Sequence, residues 1–68
     1  MGWLVNTYRE DDGYIVSVLT LDETEERARA KLLRMRKREP IDSEWFDDRD
    51  EADKYLERIF KAGVHAGK

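Results

Sequence analysis

A chain of 68 residues lies near the size at which burial barely exceeds the entropy lost on folding, so no deep, enclosed active site is expected. With 40% apolar residues it can still build one compact core, while 43% charged residues make its surface strongly ionic. A formal charge of -3 argues against a surface given over wholly to nucleic acid, and the absence of cysteine removes disulfides, thiolate metal sites and a thiol nucleophile. No apolar run is long enough to cross a bilayer, and the first residues lack a signal peptide's basic and apolar regions, so a soluble, cytoplasmic single domain over residues 1–68 is expected.

The first expected element is a β-hairpin over residues 3–21. Trp3 to Arg9 and Tyr14 to Leu21 are rich in aromatic and β-branched residues, and they flank Glu10-Asp11-Asp12-Gly13, whose Asp-Gly pair tolerates the positive φ of a tight turn. A loop of two or four residues places Trp3, Val5 and Thr7 on one face with Tyr14, Val16 and Val18. Leu4, Asn6 and Tyr8 then share the other with Ile15, Ser17, Leu19 and Leu21. Both faces are substantially apolar, and a layer of two helices covers only one of them. The second is left to scattered exposed side chains, or to a homodimer or partner contact. The hairpin's open edge is a further place where a strand of another chain can add.

Glu10 to Val18, an acidic-Gly-Tyr turn leading into a strand and then a helix, resembles the hairpin of HicB-like antitoxin domains. It departs from them where Leu19-Thr20-Leu21 runs directly into Asp22 without their Pro- and Gly-containing segment, so what the resemblance implies is the local hairpin-then-helix order.

A first helix is expected over residues 22–38, with Asp22 as its cap, Glu25 completing a capping box and Pro40 beyond its end. Ala28, Leu32 and Met35 form its narrow apolar stripe, flanked by Leu33. Residues 41–46 read either as a loop or, through Glu44-Trp45-Phe46, as a short third strand. A second helix over residues 48–63 opens at Asp47 or Asp48, and its Ala52, Tyr55, Leu56, Ile59, Phe60 and Gly63 hold helical spacing without a miss. Residues 64–68 are expected to form a frayed tail. The fold class is therefore α+β, ββαα or ββαβα, with the second helix packed on the first and on one hairpin face.

Charge is sorted along the chain. Arg27 to Arg38 holds seven of the thirteen basic residues, and Glu39 to Glu57 holds nine of the sixteen acidic ones. At 100° per residue, Arg27, Lys31, Arg34 and Arg38 fall within a sector of about 60°, a stripe able to track phosphates. Arginine suits that task because its planar fork presents paired donors to phosphate oxygens. Against this, each helix places acids first and bases last, as its dipole favours, and spacings such as Glu23/Arg27, Glu25/Arg29, Asp50/Lys54 and Glu57/Lys61 allow self-complementing pairs. The basic helix also lacks the aromatic residues on which single strands stack.

The acids Asp47, Asp48, Asp50, Glu51 and Asp53 crowd more closely than helix dipoles require, and their density suits docking on a basic partner. Their spacing matches no EF-hand loop, so no metal or other cofactor is expected. The single histidine, His65, falls near the end of the chain, and no Gly-rich phosphate loop is present. A non-catalytic protein-binding regulator or inhibitor, of the compact kind encoded by phages and mobile elements, is the first expectation. Nucleic-acid binding through Arg27, Lys31, Arg34 and Arg38 is the second.

Overall fold

A computed structural model describes residues 1–67, with side chains through Phe60. The elements run β1 (Gly2–Arg9), β2 (Ile15–Asp22), α1 (Glu25–Arg36), β3 (Asp42–Phe46) and α2 (Arg49–Gly67), which is the ββαβα form of the α+β class. All pairing is antiparallel and β1 lies in the middle of a three-stranded sheet, in the order β2-β1-β3. Glu44-Trp45-Phe46 therefore belongs to a strand, paired with β1 from Trp3↔Phe46 to Thr7↔Asp42.

The hairpin's register differs from the expected one, and the turn is the cause. Gly13 N–H donates to the Glu10 carbonyl (2.9 Å), Glu10 N–H donates to the Tyr14 carbonyl (2.8 Å), and Gly13 takes φ 91. That is a loop of three residues, Asp11 to Gly13, with glycine in the left-handed position that such loops require. An odd loop slides β2 by one residue against the two- or four-residue alternatives, and a slip of one moves every side chain to the other face. Pairing is thus Trp3↔Leu21, Val5↔Leu19 and Thr7↔Ser17 on one face, and Leu4↔Thr20, Asn6↔Val18 and Tyr8↔Val16 on the other.

The two helices take opposite faces of the sheet, instead of forming one layer as expected. On the first face, Leu4, Ala28 and Leu32 make the buried cluster, with Val18 and Trp45 packed against it, so α1 covers this side. On the second, the Tyr55 ring meets Phe46 at 5.2 Å between centroids, the Tyr55 hydroxyl donates to Asp42, and the Arg49 guanidinium lies 4.7 Å from the centre of the Trp3 ring, so α2 covers that side. Both neighbours on the central strand, Leu4 and Val5, are consequently 0% exposed. Burying an aliphatic side chain of this size contributes about 1.5–3 kcal/mol, and the arrangement collects it from both faces of one strand. Each face of the sheet thus carries a helix, and on the α2 side Ile15 and Leu21 of β2 stay exposed at 40% and 42%.

The helix boundaries follow their caps. Thr24, not Asp22, is the N-cap of α1: its backbone is extended and its hydroxyl accepts from Arg27 N–H at 3.2 Å. Asp22 remains in β2 because its backbone still pairs with Gly2. Lys37 ends α1 in the left-handed conformation (φ 58), its N–H bonded to the Leu33 carbonyl at 2.8 Å, so the helix stops before Arg38. Asp48 opens α2, its carbonyl accepting from Ala52 N–H and its carboxylate from Asp50 N–H, both at 3.2 Å. α2 continues beyond Gly63 to Gly67, since an isolated glycine costs about 1 kcal/mol without ending a helix. The tail expected at 64–68, His65 and the Glu57/Lys61 pairing involve side chains outside the described residues.

The apolar stripes are narrower than their spacing suggested. Ala52 is buried and Tyr55, Leu56 and Ile59 are half-buried, but Phe60, on the flank of the stripe, is 71% exposed. On α1, Met35 is 70% exposed; Tyr8, at the far end of this face, is covered by Arg36, whose guanidinium stands 4.4 Å from the ring centre.

Candidate functional site

Three of the four residues of the basic stripe have carboxylate partners in the fold. Asp22, at the end of β2 on the side covered by α1, receives Lys31 at 3.3 Å and Arg27 at 3.4 Å, while Arg27 also reaches Glu23 at 3.8 Å. The Asp22 carboxyl is held below its ordinary range, first by the Glu23 N–H that donates to it at 2.7 Å and then by Lys31 and Arg27, with burial acting in the opposite sense. Arg27 and Lys31 thus share one buried carboxylate while their own side chains stay 66% and 50% exposed.

The other end of the stripe folds away. Because α1 stops at Arg36 and Lys37 turns the chain, Arg38 returns to the hairpin, where it donates to the Arg9 carbonyl and pairs with Glu10 at 2.9 Å. Arg36 pairs with the same Glu10 at 3.1 Å, and both guanidiniums stand against the Tyr8 ring. Among the described residues, Arg34 is the one member of the four that meets no carboxylate.

A small polar cleft opens between α1, the segment Arg38-Glu39-Pro40 and the sheet. Its volume is about 150 Å³, and Asn6, Tyr8 and Arg29 supply its polar lining. Arg29 donates to Ser43 Oγ at 2.7 Å, Ser43 donates to Asn6 Oδ1, and the Asn6 amide donates to the Tyr8 hydroxyl at 3.1 Å. Ligand pockets usually exceed about 300 Å³. Both guanidiniums at the rim already hold carboxylates, Arg29 that of Glu25 and Arg38 that of Glu10, so the cleft reads as a satisfied polar layer of the fold. Sequence gave one usable signal for it, Asn6 and Tyr8 interrupting an otherwise apolar strand face.

The acidic block behaves differently. The short connection from β3 to α2 places Asp47 and Asp48 beside the first turn of the helix, with Asp50 and Glu51 following on it, and all four are exposed. Asp53 is drawn into a pair with Arg49 at 3.1 Å, and Arg49 is itself fixed over Trp3. Asp47, Asp48, Asp50 and Glu51 meet no cation among the described residues. Nor do they converge as ligands: among the described residues no three His, Cys, Asp or Glu side chains gather as a metal site.

The chain matches no family model, and neither a curated protein nor a solved structure matches it. No helix in the described residues is long and apolar enough to cross a membrane.

Proposed function

We propose that this protein is a non-catalytic protein-binding domain, a regulator or inhibitor that docks on a basic partner surface through Asp47, Asp48, Asp50 and Glu51. One observation carries the reading. Arg27, Lys31 and Arg38 each have a carboxylate partner, whereas these four acids are exposed and meet no cation among the described residues, which favours the acidic block over the basic stripe as the docking surface. The lack of cysteine suits a reducing cytoplasm.

The test sets two titrations side by side. Duplex DNA at low salt is expected to show no affinity. Protein captured from cell extract is expected to elute with salt and to bind about tenfold more weakly to D47N/D50N/E51Q, the sum of three rim charges worth about 0.5 kcal/mol each. Tight, steeply salt-dependent DNA binding that falls in R34E would instead establish the nucleic-acid reading and refute this one.

A further inference from the structure

The two edges of the sheet are built differently. β3 spans Asp42–Phe46 and carries Asp42 and Glu44, so it is short and charged, two devices that keep an edge from pairing. β2 has neither protection. From Ile15 to Leu21 it contains no charge, proline or glycine, and its register to β1 runs unbroken from Gly2↔Asp22 to Arg9↔Ile15, without a bulge.

The backbone bonds fix which groups of β2 face outward. Glu10 N–H donates to the Tyr14 carbonyl, and bonded pairs recur at every second residue of an antiparallel ladder. Val16, Val18, Thr20 and Asp22 therefore turn their N–H and C=O toward β1. Ile15, Ser17, Leu19 and Leu21 turn theirs to the open edge, where no described residue bonds to them.

We propose that β2 is a self-association edge, on which a second copy of this chain pairs antiparallel about a two-fold axis at Val18 to make a continuous six-stranded sheet. In that register Ser17 faces Leu19 and Ile15 faces Leu21 of the other copy. The outward groups of all four residues are then satisfied by about eight new hydrogen bonds. The strand is its own match. Ile15 and Leu21 are the exposed aliphatic residues of β2, at 40% and 42%, both lie on the α2 side, and they sit at equal distance either side of Val18, so the two-fold brings each against the other. A one-residue shift of the axis, to Leu19, breaks this match and gives fewer bonds. An interface resting on one strand pair falls at the low end of the size range, so association is expected at micromolar concentration.

Sedimentation velocity of the full chain over micromolar concentrations tests the idea. The wild type is expected to shift from monomer to dimer, I15K/L21K to remain monomeric, and I15K/L21E to dimerise again, because the register sets each introduced lysine against an introduced glutamate of the other copy. Hydrogen exchange gives a second measurement that needs no variant: the amides of Ile15, Ser17, Leu19 and Leu21 should slow as concentration rises, while those of Val16, Val18 and Thr20, bonded to β1, should not change. A wild type that stays monomeric overturns the proposal. So does a dimer that persists in I15K/L21K, or one whose added protection does not alternate along β2.

Discussion

Gly2 is the position at which the smallest change should have the clearest cost. It lies on the α1 side of β1, where the Trp45 indole crosses it, and a Cβ added there would stand 2.7 Å from Trp45 Cε2 and 2.8 Å from the Phe46 carbonyl oxygen. Carbon contacts settle near 3.5–4.0 Å, so Gly2→Ala must move the indole by about 1 Å and push β3 off the central strand. Overpacking of this kind costs about 1–3 kcal/mol, and replacing glycine returns about 0.5–1 kcal/mol of chain entropy, leaving a net loss of about 1–2 kcal/mol. For a domain of this length that lowers Tm by roughly 5–15 °C. Thermal and urea unfolding followed by tryptophan fluorescence and circular dichroism would measure it. Trp45→Leu removes the indole but not the Phe46 carbonyl, so the cost of Gly2→Ala should fall by about half in that background, a coupling that a double-mutant cycle reads directly. A Gly2→Ala protein as stable as the wild type, or an equal cost in both backgrounds, would refute the close packing of β3 on the start of β1.

Two further outcomes concern pH. The Tyr55 hydroxyl donates to Asp42, and that bond, with burial and the Asp42 charge, pushes its pKa from 10.0 up to about 12. A raised folded pKa means stability that is complete below pH 10 and lost as pH rises toward 12; chemical unfolding across this window should show a falling limb that Tyr55→Phe flattens. Asp22 acts at the other end: its folded pKa lies below 3.8, so its contribution is present above that value and disappears as pH falls through the folded one. Asp22→Asn should therefore be less stable than wild type at neutral pH, and the gap should close in acid. A constant gap would show that neither the Glu23 N–H nor the Lys31 and Arg27 pairs stabilise the ionised Asp22 carboxyl.

The hairpin, both helices and the alternative of a third strand were legible because each is written locally, in Asp12-Gly13, in the spacing from Ala52 to Ile59, and in Trp45-Phe46. What local pattern does not contain is the parity of the hairpin loop. Once Gly13 takes its left-handed φ in a three-residue loop, the strand faces exchange members, and the prediction of which side chains meet fails as a set. The basic stripe loses Arg38 for a related reason: extrapolating helical angles to Arg38 assumes the helix reaches it, and Lys37 turns the chain first, leaving Arg27, Lys31 and Arg34 on the helix. Asp22 looked like a cap because Asp favours caps, while Thr24, two residues later, offered the same chemistry at the true start of the helix. The acidic positions were readable, and what sequence could not supply was the pairing of Asp53 with Arg49, which divides them.

Placing the first strand in the middle of the sheet also has a consequence for assembly. β1 and β2 are joined by a short loop and can zip together quickly, but the other side of β1 must wait for residues brought from beyond α1, and closing that long loop carries the larger entropic cost. Until β3 arrives, Leu4 to Thr7 present a strand with a bare edge. A chain cut after α1 would keep that edge permanently, so the five residues of β3 serve the rest of the sequence as a cover as much as a strand.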